Sequence, residues 1–319
     1  MPKKYSLQKN ATALLLFSGG LDSILAAKIL QQAGLTVNLL SFESYFFDTQ
    51  QAEKSAAQLN LPLIKKNFSR LHLKVVKSPN HGYGKAMNPC IDCHALMLME
   101  AKKIALEKKI DILATGEILG QRPFSQNSKA FKKIEKITNL KNQILRPLSA
   151  QLLPETVYEK SELVNRKKLL AISGRSRKTQ LELATKFNIQ KFPTPAGGCL
   201  LTEKEFGIKL RKLFELTKKP TSSDLELIKF GRHYWKKSVH IILGRNKEEN
   251  CRLEKLKEKD DVLIKRQDKL GPTAFIRPIR TLSKKEKVFL IEKCQQLIWQ
   301  YSQKKAEGKK WDELTYTIY

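Results

Sequence analysis

Leu14-Leu15-Leu16-Phe17-Ser18-Gly19-Gly20-Leu21-Asp22-Ser23 joins an apolar run to a glycine turn and the start of a second apolar pattern. The run from Ala11 to Phe17, apolar apart from Thr12, predicts a buried strand. Leu21 to Ala33 has the apolar spacing of a helix, stopped by Gly34. Two glycines at the strand-to-helix turn let the backbone approach a ligand closely. The N–H groups of Gly20, Leu21, Asp22 and Ser23 would then point at an anion, with the helix dipole behind them. The hydroxyls of Ser18 and Ser23 add two donors. A bare Ser-Gly-Gly is an ordinary turn with Asp22 or Ser23 as helix cap. The full S-G-G-x-D-S after a first buried strand is instead a phosphate-binding pattern. No Gly-Lys-Ser/Thr follows, so transfer of a γ-phosphate is not implied.

Outward from this turn, strands and helices alternate. Val37 to Phe42 predicts a second buried strand, Gln50 to Leu59 a helix, and Leu71 to Val76 a strand. A turn-rich, flexible segment from His81 to Pro89 runs into Cys90-Ile91-Asp92-Cys93-His94, which opens a helix reaching Lys108. A strand from Asp111 to Thr115 ends in Thr115-Gly116-Glu117-Ile118-Leu119-Gly120-Gln121-Arg122. Lys129 to Lys141 reads as a polar surface excursion, and Ile144-Leu145-Arg146-Pro147-Leu148 as a return to the core. Such alternation predicts an α/β fold with a parallel sheet, whose ligands sit at the carboxyl ends of the strands. Phe42 and Gly116, both at strand ends, become candidates for the nucleotide side of the site. Phe42 as a core residue and Gly116 as a plain turn glycine are the competing readings.

Composition bounds the partners. The 319 residues carry 60 Lys and Arg against 31 Asp and Glu, a formal net charge of +29. Solvated lysines account for part of such an excess, yet its size favours a polyanionic partner. No apolar stretch approaches the ~20 residues that span a bilayer. Met1-Pro2-Lys3-Lys4-Tyr5-Ser6 leads directly into the first strand, which argues against a signal peptide and for a cytoplasmic protein. The five cysteines, an odd number, read as ligands or reactive thiols rather than a disulfide framework. Cys90 and Cys93 stand in C-x-x-C, which serves a redox pair, half a zinc site or part of an iron–sulfur site. Cys199 follows the Gly197-Gly198 pair far along the chain. Three thiolates without a fourth protein ligand suit a cluster with one open iron; a metal-free thiol relay is the competing reading. Cys251 and Cys294, in charged helical sequence, read as structural.

S-G-G-L-D-S, N-P-C-I-D-C, T-G-E-I-L-G-Q-R, L-R-P-L-S and P-A-G-G-C-L-L-T together resemble the PP-loop tRNA thiolation enzymes, the 4-thiouridine and 2-thiouridine synthases, over residues 11 to 203. The resemblance implies a PP-loop ATP pyrophosphatase domain that binds ATP and Mg²⁺ and adenylates a uracil carbonyl of tRNA. Asp22 would orient phosphate or metal, and Ser18, Gly19, Gly20, Leu21, Asp22 and Ser23 would hold the nucleotide. It further implies that Cys90, Cys93 and Cys199 ligate a [4Fe-4S] cluster, with Cys90 and Cys199 acting in sulfur transfer. Sulfur would come from inorganic sulfide or a persulfide carrier, and a homodimer is compatible with it. A ligase or amidase acting on a small molecule explains the turn but leaves the cysteines idle. The ten residues before Ala11 are too few for the THUMP domain of the full-length 4-thiouridine synthases, so RNA recognition is expected to come from elsewhere.

The character changes near residue 205, giving a catalytic domain over 1–205, a smaller α+β domain over 206–280 and a basic helical tail over 281–319. Strands are predicted over Ser238–Leu243, Asp261–Ile264 and Ala274–Ile276. Ile242-Leu243-Gly244-Arg245-Asn246 with the later Leu270-Gly271-Pro272 resembles the NFACT-R RNA-binding module. On that resemblance Arg232, Arg245 and Asn246 are the expected RNA contacts.

Overall fold

A computed structural model describes residues 11–194, 198–236, 238–267, 271–302 and 310–319. The chain divides into two compact units, Met1–Thr202 and Glu203–Tyr319. The N-terminal Met1–Ser6, Pro195 to Gly197 of the Gly-rich turn, and Leu270 lie outside the described residues.

The first unit is built on β1 (Thr12–Leu16), α1 (Leu21–Gln32), β2 (Thr36–Glu43), α2 (Gln50–Leu59), β3 (Leu63–Asn67), α3 (Ser69–Lys77), α4 (Cys90–Glu107), β4 (Ile112–Thr115), α5 (Ser128–Thr138), α6 (Val157–Lys160) and α7 (Lys178–Lys186). The strands form a parallel sheet in the order β3-β2-β1-β4. Ala13, Leu14 and Leu15 of β1 are wholly buried because helices cover both faces, which is why this strand reads as one apolar run. One face packs on α1 through Ile24, Leu25 and Ile29, and the other on α4 through Leu98, Ala101 and Ile104. Leu145 exchanges backbone hydrogen bonds with Leu113 and Thr115, so Ile144–Arg146 returns beside β4 as expected.

Three expectations change. Leu71–Val76 lies within helix α3: the residues it buries are Ser69, His72 and Val76, at helical spacing, and the apparent alternation falls on partly exposed Leu71, Leu73 and Val75. The strand is β3, at the sheet edge, where Leu63 pairs with Leu39. Lys129–Lys141 is largely helix α5, capped by Asn127, with Ala130, Phe131 and Ile134 buried beneath its lysines. Phe42 is a core residue, 5% exposed, its ring 4.9 Å from that of Phe68.

The second unit comprises α8 (Lys204–Leu216), α9 (Ser222–Leu227), β5 (Arg232–Lys236), β6 (Val239–Leu243), α10 (Lys247–Lys255), β7 (Val262–Arg266), β8 (Ala274–Pro278), α11 (Lys284–Tyr301) and β9 (Tyr316–Ile318). Its antiparallel sheet runs β5-β6-β8-β7-β9. Val239, Ile241 and Ile276 face Leu290, Cys294 and Ile298 of α11. Ile242, Leu263 and Phe275 face Leu227, Phe230 and Leu253 on the other side. The last residues are therefore part of this unit rather than a separate tail: α11 covers one sheet face and β9 extends the sheet beside β7.

His72 is fully buried among Phe46, Phe47 and Phe68, and neither ring nitrogen has a hydrogen-bond partner among the described residues. Burial lowers its pKa from 6.5 to about 4. A depressed histidine contributes stability above pH 6.5 that is lost as pH falls toward 4, at up to ~1.4 kcal/mol per pH unit. His72→Leu should shrink the fall in melting temperature between pH 7 and pH 5; an unchanged fall would place the acid sensitivity elsewhere.

Candidate active site

The turn after β1 is fixed from two sides. Gly19 has φ +76°, and a Cβ there would lie 2.5 Å from the Gln51 carbonyl oxygen at the start of α2. The Ser55 hydroxyl donates to the Gly19 carbonyl at 2.9 Å. A Cβ on Gly116 would lie 2.8 Å from Ser23 Cα, so its missing side chain makes room for the first turn of α1. No side chain caps α1 at Gly20, which leaves the N–H groups of Leu21, Asp22 and Ser23 without a side-chain partner among the described residues, the arrangement that suits an anion. Leu21 contributes its backbone only, since its side chain is core. The hydroxyl of buried Ser23 donates to the Gly20 carbonyl at 2.8 Å, and Ser18 Oγ accepts from Gly20 N–H at 3.3 Å. These hydroxyls shape the turn.

Asp22 Oδ2 accepts from Gln121 Nε2 at 2.9 Å. Its other oxygen, Oδ1, is buried without a hydrogen-bond partner among the described residues. Nothing in the sequence singles out Gln121. Its signal was its place in a loop at a strand's carboxyl end, too general to pick one residue.

The cysteine motif comes to the same sheet end. His94, on the first turns of α4, meets Glu117 just after β4, with Nδ1 2.9 Å from Oε1. Glu117 also accepts from Thr115 Oγ1 at 3.1 Å and from Arg146 Nε at 3.2 Å. Burial pushes the Glu117 pKa up, but the His94 hydrogen bond, the Arg146 charge and the Thr115 hydroxyl outweigh it and hold the carboxyl at about 2. Arg146, itself buried, donates further to Glu135 at 3.0 Å and lies over the Phe131 ring at 3.9 Å. The His81–Pro89 segment, expected to be flexible, is tied down. Asp92 binds both the backbone N–H and Nδ1 of His81 at 2.9 and 2.7 Å. Asn88 holds Ala86 N–H at 3.1 Å and donates to Cys90 Sγ at 3.2 Å.

Cys199 follows the same logic from the end of β2, since Leu200 N–H donates to the Phe46 carbonyl at 3.1 Å. Cys93 is buried, whereas Cys90 and Cys199 are half-buried. Burial first, and then the charges of Cys199, Cys90 and Asp92, raise the Cys93 thiol well above its usual range. The three thiols are thus electrostatic neighbours. No group of three or more His, Cys, Asp or Glu side chains among the described residues is placed to hold a metal ion.

In the second unit, Asn246 caps α10, its Oδ1 accepting from Glu249 N–H at 2.9 Å. Arg245 is paired with Glu249 while half its side chain stays exposed. Arg232 stacks over Tyr301 at 4.5 Å. These three do not form one cluster by hydrogen bonding; each has a local partner.

Residues 8–182, more than half of the chain, match the family described as Thiamine biosynthesis protein (ThiI). The chain belongs to the ThiI family. The match includes the Ser18–Ser23 turn, Cys90, Cys93 and Arg146, and it stops before Cys199 and the second unit. A probable tRNA sulfurtransferase of Finegoldia magna is 35% identical over 146 residues, 43% of this chain and 35% of its own length. The tRNA sulfurtransferase of Desulfurococcus amylolyticus is 28% identical over 156 residues, 46% of this chain and 31% of its own. The aligned region thus spans about a third of the length of these curated relatives. A solved 4-thiouridine synthetase, in complex with RNA and bound ATP, is 25% identical with a TM-score of 0.38, covering 54% of this chain and 50% of its own.

Glu117→Ala should destabilise the first unit by about 3–5 kcal/mol in urea unfolding, because it strands buried Arg146 and removes the partner of His94. Glu117→Gln should abolish the stability that the parent protein loses as pH falls from 4.5 toward about 2, since the lowered carboxylate pKa confines its contribution to higher pH. An unaltered acid profile in that variant would remove the carboxylate from this role.

Proposed function

We propose that this chain is an ATP-dependent tRNA sulfurtransferase that adenylates a uracil carbonyl of tRNA and replaces its oxygen with sulfur. The observation that carries the reading is Asp22 Oδ1, a buried carboxylate oxygen without a protein partner among the described residues, beside the uncapped first turn of α1. Family membership and the names of the curated relatives support it. The Gly20–Ser23 N–H groups would hold the phosphates of ATP. A hard oxygen donor such as Asp22 Oδ1 suits Mg²⁺, which when bound would offset phosphate charge. Gln121 holds the other oxygen and so fixes the carboxylate's direction.

Chemically, the uracil oxygen attacks the α-phosphorus and pyrophosphate leaves. The activated carbon now carries AMP as leaving group. In the thiol route half-buried Cys90 and Cys199 are the reacting pair. A persulfide on Cys199 or Cys90, loaded by a persulfide carrier, attacks that carbon with its terminal sulfur and AMP departs. The other cysteine attacks the resulting disulfide, frees the thiouridine and forms a Cys90–Cys199 disulfide. A dithiol reductant returns the two electrons. Cys93 is unsuited to either step, since burial keeps it a thiol. The basic second unit, with Arg232, Arg245 and Asn246, is the proposed grip on tRNA, and the protein acts in the cytoplasm.

The test is thiolation of tRNA by the full chain with ATP and a persulfide donor, scored by mercury-affinity gel, with iron and acid-labile sulfide measured on the same anaerobic preparation. Cys199→Ala and Cys90→Ala should each abolish sulfur incorporation and leave AMP formation and tRNA binding intact. Asp22→Asn should lower AMP formation by about 10²-fold or more. Full activity of Asp22→Asn would sink the reading of the turn. About four irons per chain, lost with thiolation in Cys199→Ala, would transfer the sulfur step to a cluster.

A further inference from the structure

One corner of the second unit has no part in its capping or core packing as described above. Strand β5 reads Arg232-His233-Tyr234-Trp235-Lys236 and is an edge strand of its sheet. Alternation puts His233 and Trp235 on one face. The register sets Trp235 opposite His240 of β6, and the two rings lie 3.8 Å apart at an angle of 6°. His233 stacks on the same imidazole at 5.2 Å and 21°, its Nδ1 2.9 Å from His240 Nε2. Two ring nitrogens at that distance share one proton, so the pair cannot be doubly charged. Burial pushes both imidazoles down, His233 to about 3, and Lys209 and Arg277 oppose any charge on His240. At neutral pH the stack is therefore an uncharged aromatic surface ending in half-buried Trp235.

Cations border it. Lys209 of α8 and Arg245 are close enough to His233 for their charges to disfavour its protonation. Burial and the Arg245 charge also lower the Lys209 pKa, so these two cations repel each other in the folded protein. An anion near both would relieve that repulsion. Glu249, bonded to Arg245, is the one carboxylate that faces His233 in this set.

We propose that this corner binds single-stranded RNA: an unpaired base stacks on Trp235, and Lys209 and Arg245 take the flanking phosphates. Flat, neutral aromatic surfaces beside cations are what sequence-tolerant single-strand binding uses. A duplex base, already stacked on its neighbours, has no face to offer Trp235. The inference rests on the reading of the chain as an RNA-modifying enzyme.

The experiment is a titration of the full chain with a short single-stranded oligouridylate, followed by tryptophan fluorescence and by anisotropy of a labelled oligonucleotide. The parent protein should be quenched. Trp235→Phe should lose most of the quenching yet keep its affinity, because a phenyl ring still stacks. Trp235→Ala should weaken binding about tenfold, with its melting temperature checked against that of Trp235→Phe. Lys209→Gln should reduce the slope of log affinity against log salt by about one. Equal quenching in Trp235→Phe, unchanged affinity in Trp235→Ala, or equal affinity for a duplex would overturn the proposal. Thiolation at an unaltered KM for tRNA in Trp235→Ala would also overturn it and leave the enzyme assignment standing. Quenching that follows this pattern in a chain that thiolates nothing would uphold the RNA site and remove the enzyme reading.

Discussion

Two backbone approaches too close for any side chain govern the first unit. Gly19 lies against Gln51 at the start of α2, and Gly116 lies against Ser23 in α1. Together they press the β1 turn between α2 and the loop after β4, so its N–H groups keep one direction. A methyl group at either position would have to move backbone rather than the end of a flexible side chain. The geometry of the turn is thus set by neighbours that never touch an anion. Preorganisation of this kind is what makes a row of N–H groups useful to chemistry, since the donors need not reorganise as charge develops.

The buried ion network performs the corresponding task for the cysteines. Glu117 stands where β4 ends, and its two oxygens face His94 on one side and Arg146 on the other. Such a network is weak evidence for stability, because desolvating the charges costs about what their attraction returns. Its effect is on position: it fixes the first turns of α4, and with them Cys90 and Cys93, to the carboxyl end of the sheet. Asn88 then sets the approach to Cys90 and the Phe46 carbonyl anchors the segment after Cys199. Two chain segments far apart in sequence, around Cys90 and around Cys199, reach one edge through three different kinds of hydrogen bond.

What was legible in the sequence follows from burial. β1, β2 and β4 lie inside the parallel sheet or at its covered edge, and β6, β7 and β8 inside the antiparallel one; all were visible as apolar runs. The strands that escaped, β3, β5 and β9, stand at sheet edges, where one side needs no apolar neighbour and residues such as Lys65, Lys66 and Lys236 are tolerated. α3 was mistaken for a strand because its partly exposed Leu71, Leu73 and Val75 alternate, while the buried His72 that reveals the helical period is polar. The turn and the cysteines could be read because their chemistry is local. Gln121 and Asn88 could not, because their partners Asp22 and Cys90 become partners only through the backbone path between them. Phe42 failed for the opposite reason: a strand end is a place for ligands and equally for core, and the rings of Phe42 and Phe68 choose core.

Charge is distributed by the same rule. Among the described residues the buried cations are Arg146, Arg266 and Arg277. Arg146 is held between Glu117 and Glu135, and Arg277 between Asp224 and Asp261. Arg146 and Arg277 are thus matched by carboxylates, so they contribute little to the net charge of +29. The excess consequently resides on side chains in contact with water, where it acts at a distance and is screened within about 10 Å at ordinary salt. A field of that kind gathers a polyanion without choosing its orientation. Choice of orientation requires short-range contacts, and in the second unit the aromatic rings beside Lys209 and Arg245 offer a flat surface whose protonation those cations themselves oppose. On the proposed binding of RNA, attraction would fall to the many exposed lysines and discrimination to the few side chains whose partners fix them.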